Sequence, residues 1–258
     1  SHFPHTGKTG LSKRTFLRTW KSFQKPRPTD TGKTELSKRT FLTARKTFQK
    51  SRPTGSSELD IVFVLDKSGS IGPSNFVLEK TFVQNLIEFF PISPAKTRVA
   101  VVTYSSWLKL EFNFNKHINN TCLRNGIQKI GYTGGFTSTG SALEYVKNNL
   151  LFSPAAGARS EAMKVIYLLT DGKSNRGVKP GIPAGQLKQR QVIIYAMGVT
   201  THIRESELQQ IASSKPEDHV FHVMNYAVLN EVTRLLQGDL PKKKSIQDTT
   251  VFARRRTG

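Results

Sequence analysis

At 258 residues the chain has room for one large domain or two small ones. Only 36% of it is apolar, which predicts that part of the chain stays outside a packed core, and the net charge is +21. That charge is unevenly spread. Residues 1–57 hold 14 Lys/Arg against 2 acids, residues 241–258 hold 6 against 1, and the stretch between holds 19 against 15. The flanks therefore carry the basicity, and the total says little about the middle. The single cysteine, Cys122, excludes an intrachain disulfide framework and a cysteine-rich zinc site. No apolar run approaches the roughly 20 residues that span a bilayer. The opening is polar and basic from Ser1 onward, which predicts no signal peptide within this chain and suggests a piece of a larger protein.

Residues 1–57 are an internal duplication. Thr6-Gly7-Lys8-Thr9 through Arg27-Pro28-Thr29 recurs as Thr31-Gly32-Lys33-Thr34 through Arg52-Pro53-Thr54. Each unit carries a short apolar stripe, Phe16, Leu17, Trp20 and Phe23 in the first and Phe41, Leu42 and Phe48 in the second. Such a composition predicts a mostly disordered basic arm with short amphipathic helices, suited to anionic membranes, heparin or another polyanion. Gly-Lys-Thr is not a phosphate loop here. That motif needs a glycine five positions earlier and a preceding strand, and His2 and Arg27 stand there instead. Nucleic-acid binding is a weaker reading of the same arms, because no recognition module accompanies them.

From Glu58 the texture changes. Leu59–Leu65, Val99–Tyr104, Val165–Thr170 and Val192–Val199 are nearly continuous aliphatic runs, the pattern of parallel strands covered on both faces. Trp107–Phe114 alternates and follows its predecessor closely, which predicts an antiparallel edge strand. His219–Val223 reads as a last strand. Phe76, Val83, Leu86, Ile87 and Phe90 share one helical face, and Ile203, Leu208 and Ile211 a shorter one. Leu229, Val232, Leu235 and Leu236 predict a final helix, entered at Asn225 and stopped by Gly238 and Pro241. The alternation predicts a doubly wound α/β domain over residues 58–240, a mostly parallel six-stranded sheet with helices on both faces, followed by a basic tail, 241–258.

The first strand ends in Asp66-Lys67-Ser68-Gly69-Ser70. Open α/β sheets bind ligands beyond the carboxyl ends of their strands, so Asp66, Ser68 and Ser70 fall where a site is expected. Hydroxyls and carboxylates are hard donors, suited to Mg²⁺ or Mn²⁺ rather than zinc. Alone, this triplet equally describes a turn that closes its own hydrogen bonds. Two further segments narrow the choice. Gly134-Gly135-Phe136-Thr137-Ser138-Thr139-Gly140 leads into a helix beginning near Ser141, and Val165–Thr170 runs into Asp171-Gly172. A carboxylate at a buried strand end is costly unless a cation or hydrogen bonds meet it.

Asp66, Ser68, Ser70, Thr137 and Asp171 resemble, in order and context, the metal-ion-dependent adhesion site of von Willebrand factor A and integrin inserted domains. The resemblance covers about 58–240. It implies a sheet with strands one and four adjacent at its centre, Ser68 and Ser70 as direct ligands, Asp66 and Asp171 acting largely through coordinated waters, and Thr137 binding when the site is engaged. It further implies an open position for a Glu or Asp of a protein partner, and movement of the 226–237 helix on ligation. Thr97–Ser106, Thr170–Asn175 and Ile203 to His219 look most like the A domains of polydom-type extracellular proteins, which join sushi, A, EGF and pentraxin modules. Where that likeness implies a partner for Cys122, Val220 and Phe221 stand, so Cys122 is expected to be an unpaired and at least partly buried thiol, with intermolecular pairing as the alternative. The expected function is divalent-cation-dependent adhesion to a protein, outside the cell. Intracellular A domains used as scaffolds are the alternative.

An enzyme is disfavoured. Phosphoryl-transfer enzymes on similar sheets generally place a second Asp two residues after the first, and Ser68 sits there. The six histidines, His2, His5, His117, His202, His219 and His222, show no H-E-x-x-H spacing. Asn119-Asn120-Thr121 is an N-glycosylation sequon, in keeping with secretion.

Overall fold

The computed structural model describes residues 58–200 and 203–229, apart from 224 and 227. The duplicated arm, the basic tail and the final helix beyond Leu229 lie outside the described residues. Six strands form one sheet: β1 Leu59–Asp66, β2 Thr97–Tyr104, β3 Leu108–Phe112, β4 Met163–Thr170, β5 Ile193–Val199 and β6 Val220–Val223. Their order is β3-β2-β1-β4-β5-β6, with only the β2–β3 pair antiparallel. The expected edge strand is therefore present, shorter by a residue or two at each end. β1 is flanked by β2 on one side and β4 on the other, all three parallel, so the order of strand addition switches sides at β1, where open sheets leave a crevice at their carboxyl ends.

The helices are α1 Gly72–Ile87, α2 Asn120–Gln128, α3 Thr139–Tyr145, α4 Gly181–Gln189, α5 Glu205–Ile211 and α6 Pro216–His219. α1 starts with Pro73 in its first turn, where a missing amide donor costs nothing. α3 begins two residues before Ser141 and runs on into a π-helical turn, Val146–Leu150. Each strand sends alternate residues to opposite faces. Ile61, Phe63 and Leu65 of β1 join Phe76, Phe82 and Val83 of α1 in one core, while Val62 and Val64 join Ala142, Leu143 and Leu187 in the other. Burying both faces explains why the strands read as unbroken apolar runs. Across the first face the rings of Phe63, Tyr167 and Tyr195 stack in register, at 5.4 and 5.1 Å between centroids.

The Asn225 side chain accepts from the Val228 amide at 2.9 Å, so the last helix is entered where the sequence predicted. Asn119 does the same for α2, accepting from the Cys122 amide at 2.9 Å. Asn119→Ala should cost about 1 kcal/mol in urea unfolding, with the loss confined to the α2 end of the molecule in hydrogen exchange. Cys122 corrects the sequence expectation. It is exposed, because α2 buries only Leu123 and Ile127 and turns its first residues to solvent.

Candidate metal centre

β1 and β4 lie side by side in parallel register, Leu65 opposite Leu169, so Asp66 and Asp171 emerge together at the carboxyl edge. After Asp66 the chain turns sharply before α1. Asp66 Oδ1 accepts from the Ser68 amide at 2.9 Å, which curls the loop back, and Asp66 Oδ2 accepts from the Thr170 hydroxyl at 2.8 Å. The curl brings the Ser68 and Ser70 hydroxyls within 3.2 Å of each other, and Ser70 Oγ donates to Asp171 Oδ1 at 2.8 Å. Four of the five residues picked from the sequence thus form one hydrogen-bonded group drawn from two strand ends. Asp66, Ser68 and Asp171 are buried, and Ser70 is exposed at the mouth.

Thr137 makes no hydrogen bond to this group among the described residues, and is held through its backbone by the 175–176 segment. Its amide donates to Asn175 Oδ1 at 3.0 Å, and its carbonyl accepts from the amides of Asn175 and Arg176. The loop carrying it is tied to the first one by the Gly69 amide donating to Gly135 O at 2.8 Å. That approach needs glycine at 135, whose φ of +112° favours a residue without a Cβ and whose Cβ would meet Ser106 Oγ at 2.5 Å. Gly140, at the start of α3, is similarly constrained, since a Cβ there would lie 1.8 Å from Val178 O. The glycines around Thr137 therefore set how closely three loops converge.

Lys67, inside the motif, faces away from the acids. It is buried, its Nζ lies 3.6 Å from Glu111 Oε1, and burial lowers its affinity for a proton. The contrast among buried acids is informative. Asp60, at the other end of β1, meets Arg159 at 2.7 Å and Lys164 at 3.6 Å. Asp66 has no such cation among the described residues, and burial pushes its carboxyl up to about 6, against the pull of its hydrogen bonds from Ser68 and Thr170.

One functional candidate escaped the sequence reading. Glu79, on α1, is fully buried beneath the loop. Neither of its carboxyl oxygens has a hydrogen-bond partner among the described residues. Burial, followed by the negative charges of Asp66 and Asp171, raises its carboxyl well above the ordinary range. The signal was present in the sequence: an acid three residues after Phe76 and four before Val83, inside an otherwise apolar stripe.

A divalent cation fits this arrangement. The Asp66 and Asp171 carboxylates, with the Ser68 and Ser70 hydroxyls beside them, are a hard oxygen donor set. Among the described residues no three His, Cys, Asp or Glu side chains cluster as metal ligands, so hydroxyls and water would complete any coordination. The rim is aromatic and cationic. Trp107 and Phe136 are 78% and 58% exposed, and the Arg176 guanidinium lies 5.9 and 5.4 Å from their ring centroids.

Residues 60–235 match the von Willebrand factor type A domain family. The chain is 40% identical to the human collagen alpha-6(VI) chain over 173 residues, 67% of this chain and 7% of that one. It is 37% identical to human vitrin over 179 residues, 69% of this chain and 25% of vitrin. It is 32% identical to human matrilin-1 over 183 residues, 71% of this chain and 36% of matrilin-1. The chain thus spans well under two thirds of these relatives. Among solved structures, proximal thread matrix protein 1 from the mussel byssus, with a zinc-occupied metal-ion-dependent adhesion site, aligns with a TM-score of 0.64 and 30% identity, covering 70% of this chain and 47% of that one. These relatives are structural and adhesion proteins of the extracellular matrix, and localisation outside the cell follows for this chain. The likeness to polydom-type proteins stays a resemblance carried by the stretches that suggested it. The sheet order, the converging loops and these matches agree: the chain belongs to the von Willebrand factor type A family.

Proposed function

We propose that the domain is a divalent-cation-dependent protein-binding module of the extracellular matrix, in which Asp66, Ser68, Ser70, Thr137 and Asp171 hold Mg²⁺ or Mn²⁺ and the cation takes a Glu or Asp carboxylate of the partner. The observation that carries the reading is the meeting of Ser68, Ser70 and Asp171 oxygens at a solvent-facing mouth, from segments 101 residues apart. The bound cation supplies an electrophilic centre for that carboxylate. The chain's own residues do the rest. Asp66 stays behind the loop, with both oxygens committed to Ser68 and Thr170, and fixes the loop's curl. Ser70 and Asp171 stand where a partner would arrive. The neighbour's zinc keeps a softer cation in view, although hydroxyl and carboxylate oxygens favour the harder ones.

Trp107 and Arg176 give the mouth side-chain types that dominate binding energy at interfaces, with Phe136 beside them. Trp107→Ala and Arg176→Ala should each weaken ligand capture about tenfold while leaving Mn²⁺ affinity unchanged, measured by surface binding and calorimetry side by side. The basic flanks support a second, separable activity. Net charges of +12 and +5 on residues 1–57 and 241–258 suit heparin or acidic lipid, with binding that weakens as salt rises.

The reading is tested by immobilising the chain and offering matrix proteins with Mg²⁺, then with chelator. Capture in Mg²⁺ that chelator reverses and Asp171→Ala abolishes is the expected result. Cation-dependent turnover of a phosphate monoester, without capture, would instead make the site an enzyme's.

A further inference from the structure

Glu79 is the buried group that the adhesion-site residues do not use. It sits on the α1 face that faces the sheet, between Phe76 and Val83, where a leucine or methionine would bury at no electrostatic cost. No cation among the described residues pairs with it, and the only offset to its burial is a weak pull from the Asp66 backbone. Neighbouring Lys80 is committed elsewhere, donating to the carbonyls of Gln128 and Ile130 at 2.9 and 2.8 Å. Tyr132, which packs on Phe76, spends its hydroxyl on Ser68 O at 3.0 Å. Both Glu79 oxygens remain without a hydrogen-bond partner, and the charges acting on them are those of Asp66 and Asp171. Three acids thus share one buried region, while the same domain's other fully buried acid, Asp60, is matched by Arg159 and Lys164.

We propose that Glu79 is a positioning residue of the cation site, reaching the cation from the buried side through a coordinated water, so that three carboxylates rather than two offset its charge. A direct bond is disfavoured, since Glu79, Asp66 and Asp171 do not converge as a ligand cluster. A water bridge answers both features of the residue: it gives the orphaned oxygens a donor, and it gives the three acids a common counter-charge. Outer carboxylates of this kind orient the inner ligands and raise metal affinity. Burial first, and then the charges of Glu79, Asp171 and Asp66, raise the Tyr226 hydroxyl above its ordinary range at the start of the helix entered at Asn225.

This inference rests on the cation-site reading above, and the test separates the two. Mn²⁺ is titrated into the full chain, Glu79→Gln and Glu79→Met, by electron paramagnetic resonance, with circular dichroism and melting curves taken with and without the ion. The parent should bind, and both variants should stay folded and bind about tenfold to a hundredfold more weakly. Glu79→Met should melt at or above the parent temperature without cation and below it in saturating Mn²⁺, a reversal that a purely structural residue would not give. A folded variant that binds within twofold of the parent would overturn the inference and leave the cation site standing. Variants that fail to fold without cation would overturn it as well, because the carboxyl would then serve the fold. A parent that binds no Mn²⁺ removes both readings.

Discussion

Asp66→Ala and Asp171→Ala should each lower divalent-cation affinity by more than about a hundredfold while circular dichroism stays native. The magnitude follows from where the two carboxylates sit. Loss of an outer carboxylate alone weakens metal binding tenfold to a hundredfold, and these two are the acids nearest the loop hydroxyls. A loss of a hundredfold is about 2.7 kcal/mol. The fold should survive, because neither acid joins the apolar cores. Asp66 contributes hydrogen bonds to Ser68 and Thr170, and Asp171 accepts from Ser70, at the sheet's edge rather than its interior. Without cation Asp66→Ala also removes a buried carboxyl that no cationic side chain among the described residues offsets. Calorimetry with Mg²⁺ and Mn²⁺ on the two variants checks the expectation, and retained affinity in either would falsify its assignment to the site.

The second large effect is a pH dependence that the cation removes. Without cation the Asp66 carboxyl is displaced from 3.8 to about 6, chiefly by burial. The folded chain then keeps a proton that the unfolded chain has already lost. Stability is therefore fullest below the unfolded value, falls as pH rises from about 4 to about 6, and stays at its lower level above that. A displacement of this size corresponds to about 3 kcal/mol. Glu79 is raised in the same direction, by burial and then by Asp66 and Asp171, and so adds to a loss of the same sign. The cation-free chain should thus resist urea better at pH 5 than at pH 7.5. Saturating Mg²⁺ should flatten or reverse the trend, because the ion favours the ionised carboxylate, and its affinity should drop as pH falls below about 6. A cation-free profile that rises with pH over this window would contradict the account.

How much was legible in the sequence differed by element. The strands were readable because both sheet faces are covered, so the centres of Leu59–Asp66 and Met163–Thr170, Ile61 to Leu65 and Val165 to Leu169, carry no charged residue to blur them. α1 was readable from a sixteen-residue helix with a continuous buried stripe. α2 and α4 were missed for the opposite reason. α2 buries only Leu123 and Ile127, one turn apart, and α4 carries Gly181, Pro183 and Gly185 in nine residues, so neither gives a helical period. Cys122 was expected inside because cysteines usually are, and α2's short buried face places it outside.

The site was legible as an order of residues rather than as a shape. Asp66, Ser68, Ser70, Thr137 and Asp171 were named from three separate segments, and adjacency of β1 and β4 brings those segments together. The converse failure is Glu79. Periodicity marked Phe76, Val83, Leu86 and Ile87 as one face, and a polar residue on that face was passed over because periodicity counts only apolar positions. Its depth, and the lack of a hydrogen-bond partner for its oxygens among the described residues, exist only in three dimensions. Trp107 and Arg176 form a rim for the same reason: residues 69 positions apart meet over an exposed edge.

The central claim is that this edge holds one divalent cation through named residues, and a calorimetric titration of the unsubstituted chain with Mn²⁺ at neutral pH tests it most directly. The account predicts saturable binding of one ion per chain, competed by Mg²⁺, reversed by chelator and lost in Asp171→Ala. Absence of saturable binding, or binding that Asp171→Ala leaves intact, would contradict it.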